Sequence, residues 1–172
     1  IFNGHTDLAA SNVSAGLTQL YAVGNIGSSN KRLQTTVGQL EGNSTEGEVW
    51  LTNTGHLVVE AITGTQGLSA KGNVNLVTNS PLTVADDIVS EEGFIILTAS
   101  EDAGAGDDLT IEADVLIDST LGFVTLRAGD NISIGTGASI TALTDLLIEG
   151  DFESNDAGIG SVIDIQGSLA AA

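Results

Sequence analysis

Apolar residues in this chain recur in short alternating runs, most of them opened by a glycine. The pattern Gly-x-apolar-x-apolar occurs at Gly47-Glu48-Val49-Trp50-Leu51, Gly72-Asn73-Val74-Asn75-Leu76, Gly93-Phe94-Ile95-Ile96-Leu97 and Gly122-Phe123-Val124-Thr125-Leu126. A fifth copy, Thr144-Asp145-Leu146-Leu147-Ile148, lacks the glycine. The steps between copies are 25, 21, 29 and 22 residues. Alternation with period two predicts β-strands with one buried face.

A second run follows each first one: Leu57-Val58-Val59, Leu82-Thr83-Val84, Leu109-Thr110-Ile111, Ile132-Ser133-Ile134 and Ile163-Asp164-Ile165. Its middle residue is usually polar, so the flanking pair is expected to face inward. Three times the spacing from run one to run two is 6 residues: Leu51 to Leu57, Leu76 to Leu82, and Leu126 to Ile132. A third strand is expected around Ile88, Val115 and Leu169, each 4 residues past run two. Ile140 fits after a two-residue insertion, and Leu68 after a longer corner.

Three short strands per repeat of about 25 residues predict an all-β chain folded as a parallel β-helix, or β-solenoid. A propeller blade needs four strands and about 40 residues. No Asn-Gly or Asp-Gly hairpin turn separates neighbouring strands, which argues against a sandwich. Five clear coils and one or two ahead of them, spaced about 4.8 Å apart, predict a rod roughly 30–35 Å long. Residues 38–172 are expected to form regular coils in one continuous solenoid. Residues 1–37 read as irregular N-terminal coils or a junction, with strands at 17–23 and 33–37 and a loop over 24–30. Asn53, Asn79 and Asn131 are expected in the same first corner of three coils, either stacked or as ordinary turn residues.

Composition narrows the function classes. The 23 acidic and 4 basic residues give a net charge of -19, which excludes nucleic acid and anionic membranes as partners because both need a basic face. No apolar run is long enough for a membrane span, and nothing at the start reads as a signal peptide. Both ends read as cuts through a longer pattern. The absence of Cys removes disulfides, thiolate metal sites and cysteine nucleophiles. Regularly spaced apolar residues, 41% of the chain, argue against disorder.

Several stretches carry a family resemblance: Ile26-Gly27-Ser28-Ser29-Asn30-Lys31-Arg32-Leu33, Asn53-Thr54-Gly55 and Ser80-Pro81-Leu82-Thr83-Val84, then Ala105-Gly106-Asp107-Asp108-Leu109-Thr110-Ile111 and Arg127-Ala128-Gly129-Asp130-Asn131-Ile132. In order and spacing they resemble the filamentous-haemagglutinin-like repeats of giant secreted bacterial surface proteins, over roughly residues 26–172. The resemblance implies a right-handed β-helix, export to the cell surface or extracellular matrix, and a role as stalk, adhesin or fibre. Two parts of that pattern are missing: an N-terminal secretion domain and Gly-Gly-x-Gly-x-Asp calcium repeats.

Candidate chemistry gathers at the first corner. Long excursions at residues 100–106 and 150–160 share a motif, Asp102-Ala103-Gly104-Ala105-Gly106 and Asp156-Ala157-Gly158-Ile159-Gly160. Their offset of 54 residues is two coils, so both should lie on one edge of the rod, about 10 Å apart. Asp130 belongs to the coil between. Glu101, Asp102, Asp107, Asp108, Asp130, Asp151, Glu153 and Asp156 share this edge. Crowded carboxylates repel, and a hard cation with oxygen ligands relieves them. Calcium is the natural candidate, with Asp102, Asp107, Asp108, Asp130 and Asp156 as ligands; a solvated acidic turn is the competing account.

A catalytic reading has little to work with. Acidic-polysaccharide lyases need a base, Asp164 stands alone on an outward strand position, and Arg127 is the only basic residue near these corners. His5 and His56 have no partner at triad spacing. Ranks of Thr for ice binding are broken by Val58 and Ser133. The register sets Trp50, Phe94, Ile96, Phe123 and Leu147 on one outer face, a partner or fibre-packing surface, with Trp50 packed under the N-terminal segment. The expected function is therefore a non-enzymatic structural unit that meets copies of itself or neighbouring repeats through open ends. The alternative is a calcium-dependent module binding host or matrix glycans.

Overall fold

A computed structural model of the chain describes residues 1–4, 10–64, 66–79, 81–101, 106–153 and 161–172. The described residues form one sheet of parallel strands wound into a β-solenoid of about six turns, with about 23 residues per turn and no helix. Two long strands lead, β1 (Val13–Ala22) and β2 (Leu33–Ser44). Five coils of three strands follow: β3 (Val49–Asn53), β4 (Leu57–Val59), β5 (Leu68–Ala70); β6 (Val74–Thr78), β7 (Leu82–Val84), β8 (Ile88–Ser90); β9 (Ile95–Ala99), β10 (Leu109–Ile111), β11 (Leu116–Ser119); β12 (Val124–Ala128), β13 (Ile132–Ile134), β14 (Ser139–Ala142); and β15 (Leu146–Glu149), β16 (Ile163–Ile165), β17 (Ser168–Ala171).

Each strand hydrogen-bonds to its counterpart one coil on, so equivalent side chains stack in columns. On the first face Val49, Val74, Ile95, Val124 and Leu146 are in register, as are Leu51, Leu76, Leu97, Leu126 and Ile148. On the second face Leu57, Leu82, Leu109, Ile132 and Ile163 align. Alternation puts these columns inside, where all but those of the last coil are buried. Full burial of one such side chain is worth about 1.5–3 kcal/mol.

The repeated glycine has a steric cause. At the third corner the coils stack backbone on backbone. A Cβ on Gly93 would lie 2.5 Å from the Asn73 amide nitrogen and 2.6 Å from the Gly72 carbonyl carbon. A Cβ on Gly122 would lie 2.5 Å from the Gly93 oxygen. A buried serine beside this ladder ties three of these corners to the one before. The hydroxyls of Ser44, Ser90 and Ser119 donate to the carbonyls of Gly24, Gly72 and Gly93 at 2.9, 2.8 and 2.7 Å.

One local expectation needs correction and two gain detail. In the third strand Ile117, not Val115, aligns with Ile88 and Ile140. The two-residue insertion assigned to the Ile140 coil is already present one coil earlier. Asp114 (φ 62°) and Gly137 (φ 81°) occupy matching left-handed turns there, and Val115 is buried just ahead of the strand. The asparagines do not stack. Asn53 aligns with Thr78, so Asn79 lies one residue on, and Asn131 bonds to Asp108 instead. Asn53 is buried and bridges coils alone, accepting from the Thr35 hydroxyl at 2.8 Å and the Val37 amide at 2.9 Å. Finally, the stretch 24–30 contributes to the core: Ile26 is fully buried and bridges to Val49. β2 is a single strand running through residue 37, and its ends pair with β3 on one face and β5 on another.

The corner ladder predicts that Gly93→Ala destabilises the chain by about 1–3 kcal/mol through backbone overlap. Gly16→Ala, where a Cβ meets nothing within 4 Å, should stay within about 0.5 kcal/mol of the parent. Urea unfolding midpoints compare the two.

Candidate functional site

The first corner brings part of the predicted acidic set together. Asp130 sits between its neighbours as expected. Its Oδ2 accepts from the backbone amides of Gly106 and Asp107, the latter at 3.1 Å, and its own amide donates to the Asp107 carbonyl at 3.1 Å. Asp151, one coil further, donates its amide to the Asp130 carbonyl at 3.4 Å. Glu101, Asp107 and Asp130 are all buried, and a Cβ on Gly129 would fall 2.4 Å from a Glu101 carboxylate oxygen and 3.0 Å from the Asp107 Cβ. Asp108 is turned to a different task. Its Oδ1 accepts from the Asn131 amide at 3.0 Å and from the Asn131 side chain at 2.9 Å, and Asn131 in turn accepts from the Val162 amide at 2.9 Å. Asp102 and Asp156 lie outside the described residues.

Chemically this edge works as a series of staples: Asp108 and Asp130 bond amides of adjacent coils that the strand ladder does not reach. Among the described residues no three Asp, Glu or His side chains converge as metal ligands. Arg127 approaches the same corner from β12, bonding Glu149 at 3.0 Å and lying 4.7 Å above the Phe152 ring.

The outer face of the first strands carries an aromatic file. Phe94 and Phe123 stack at 4.8 Å with 12° between their planes, and Trp50 meets Phe94 edge-on at 5.9 Å. Register refines the expected face, since Trp50 is in line with Ile96 and Leu147, while the two phenylalanines sit at its border. Trp50 is covered from the N-terminal third by Arg32, whose guanidinium lies 5.8 Å from the ring. Arg32 also donates to the carbonyls of Leu51 and Asn75 at 2.6 and 2.9 Å. Burial lowers its pKa to about 10, so it stays charged at neutral pH. His56 rests against the Thr83 hydroxyl at 3.3 Å on the second face; His5 lies outside the described residues.

A polar cluster at the second corner was missed in the sequence. Glu41 is buried and accepts from the Tyr21 hydroxyl, from Gln19 at 3.0 Å, and from the amides of Ile62 and Thr63 at 2.7 and 2.8 Å. The Tyr21 hydrogen bond, with the amides and Gln19, holds the carboxyl down at about 2 against the opposing effect of burial, and the same bond raises Tyr21. Glu41 thus pins the long corner at residues 60–67. The available signal was that corner's length, since a long excursion needs an anchor, and an acid in an otherwise uncharged strand can supply it.

Comparison with protein-family models, curated proteins and solved structures returns no match to this chain. What the structure defines is a class, the parallel β-solenoid.

Glu41→Gln should lower the melting temperature at neutral pH. A carboxylate depressed in the fold stabilises above its unfolded pKa of about 4.3. The difference between parent and variant should hold from pH 8 to 5 and shrink as pH falls toward 2, as thermal melts across pH would record. Asp130→Ala, which strands two amides, should cost about 1–3 kcal/mol in urea unfolding.

Proposed function

We propose that this chain is a non-enzymatic structural unit of a secreted or cell-surface fibre or adhesin, built to be continued end to end by further coils. The observation that carries the reading is that successive coils repeat the same core columns. Ile163, Ile165 and Leu169 occupy core columns in register with Ile132, Ile134 and Ile140. They are 42, 42 and 38% exposed, where those partners are 1, 0 and 0%. A coil from a neighbouring repeat or from a second copy would meet them with the same columns.

The filamentous-haemagglutinin-like assignment is the finer form of this proposal, supported by the order and spacing of the motifs. Export and cell-surface placement follow from that form alone. No helix among the described residues is long and apolar enough to cross a membrane. The alternative, a calcium-dependent glycan-binding module, differs in requiring an ion at the acidic first corner.

Sedimentation velocity and negative-stain microscopy test the stacking. The parent should form rods several units long at high concentration, and Ile165→Asp should hold it to single units with an unchanged melting temperature. A parent that stays monodisperse at every concentration contradicts the proposal. Running the series with calcium and with chelator separates the readings, because apolar stacking persists in chelator and a cation-dependent role does not.

A further inference from the structure

The third face carries a trough that end-to-end stacking does not use. Tyr21, Asn43 and Ser69 are in register on successive coils and point outward. Small Ser69 stands on the trough's floor, and Gly64 and Gln66 line one side. Three adjoining cavities of about 200, 250 and 190 Å³ result. All three are lined by Asn43, two by Tyr21, and two by both Gln66 and Ser69, so they are neighbours across the coils. Lys71 and Glu91 also line the first of them.

The chemistry of the lining narrows the ligand. The Asn43 and Gln66 amides and the Ser69 hydroxyl make no hydrogen bond to another described residue, so neutral donors and acceptors are on offer. Tyr21 is 56% exposed, and its hydroxyl is fixed by Glu41, which sets the ring in place at the end of the trough. Floor backbone groups are engaged in the inter-coil ladder, so a peptide cannot add here as a strand. Glu46 and Glu91 beside Lys71, on a chain of net charge -19, repel polyanions. Each cavity alone is below the roughly 300 Å³ of an ordinary small-molecule pocket. An elongated ligand with many hydroxyls and an apolar ring face fits this combination.

We propose that this trough binds a neutral oligosaccharide laid across the coils, with one sugar ring against Tyr21 and hydroxyls on the side chains of Asn43, Gln66 and Ser69. Recognition by a preset ring and free amides needs no cation at the first corner.

Saturation-transfer NMR on the full chain tests this with neutral linear tetrasaccharides of gluco, manno and galacto configuration, and a sulfated oligosaccharide as the polyanion. At least one neutral sugar should receive saturation. Ser69→Trp, which fills the floor from an outward strand position, should abolish the transfer. Asn43→Ala should weaken binding about tenfold and carries the test should Ser69→Trp fail to fold. Ser133→Trp, outward on the second face, should leave binding unchanged. The proposal is overturned by transfer to none of the neutral sugars or to the sulfated one alone. Transfer that survives both trough substitutions, or that Ser133→Trp removes equally, overturns it as well.

Discussion

Everything in this molecule depends on coils stacking in register at the spacing of a parallel sheet. A coil set down on its neighbour must place like on like, so columns of Leu, Ile and Val run the length of the rod and one alternating pattern serves every turn. One expression of that constraint is the third corner, where the backbone of one coil rests on the backbone of the next. Gly93 and Gly122 have no room for a Cβ there, and Ser90 and Ser119 tie their corners to the ones before. Long connections lie at the other corners: residues 100–108 join β9 to β10 at the first, and residues 60–67 join β4 to β5 at the second.

The same constraint explains how much of the fold was legible. Runs such as Gly72-Asn73-Val74-Asn75-Leu76 state strand, inward face and corner at once, and the register of all five coils on the first and second faces follows from them. The third face was harder because its strands follow corners of variable length, as the misplacement of Val115 against Ile117 shows. A left-handed residue such as Asp114 absorbs an insertion without any apolar signal. The N-terminal third hid a further rung because Ile26 is a single core residue rather than a run.

At the candidate sites legibility was lower still. Sequence spacing put Asp107 and Asp130 on one edge, and the structure brings them into contact through backbone amides. It could not separate Asp108, which turns to Asn131. An acidic residue in a corner has two uses, as cation ligand or as acceptor for stranded amides, and composition does not distinguish them. Glu41 illustrates the second use inside the fold, where four donors meet one carboxylate. Three of the four cations are similarly committed: Arg32 to carbonyls and Trp50, Lys71 to Glu46, and Arg127 to Glu149. The chain's net charge of -19 disfavours close lateral contact between copies.

The proposed function has further coils meeting the solenoid in the register of its own columns. Hydrogen–deuterium exchange across a range of protein concentrations tests it most directly. Amides of β16 and β17 should gain protection as concentration rises, while those of β6 and β9 in the middle of the rod stay equally protected throughout. Exchange at β16 and β17 that does not change with concentration would contradict it.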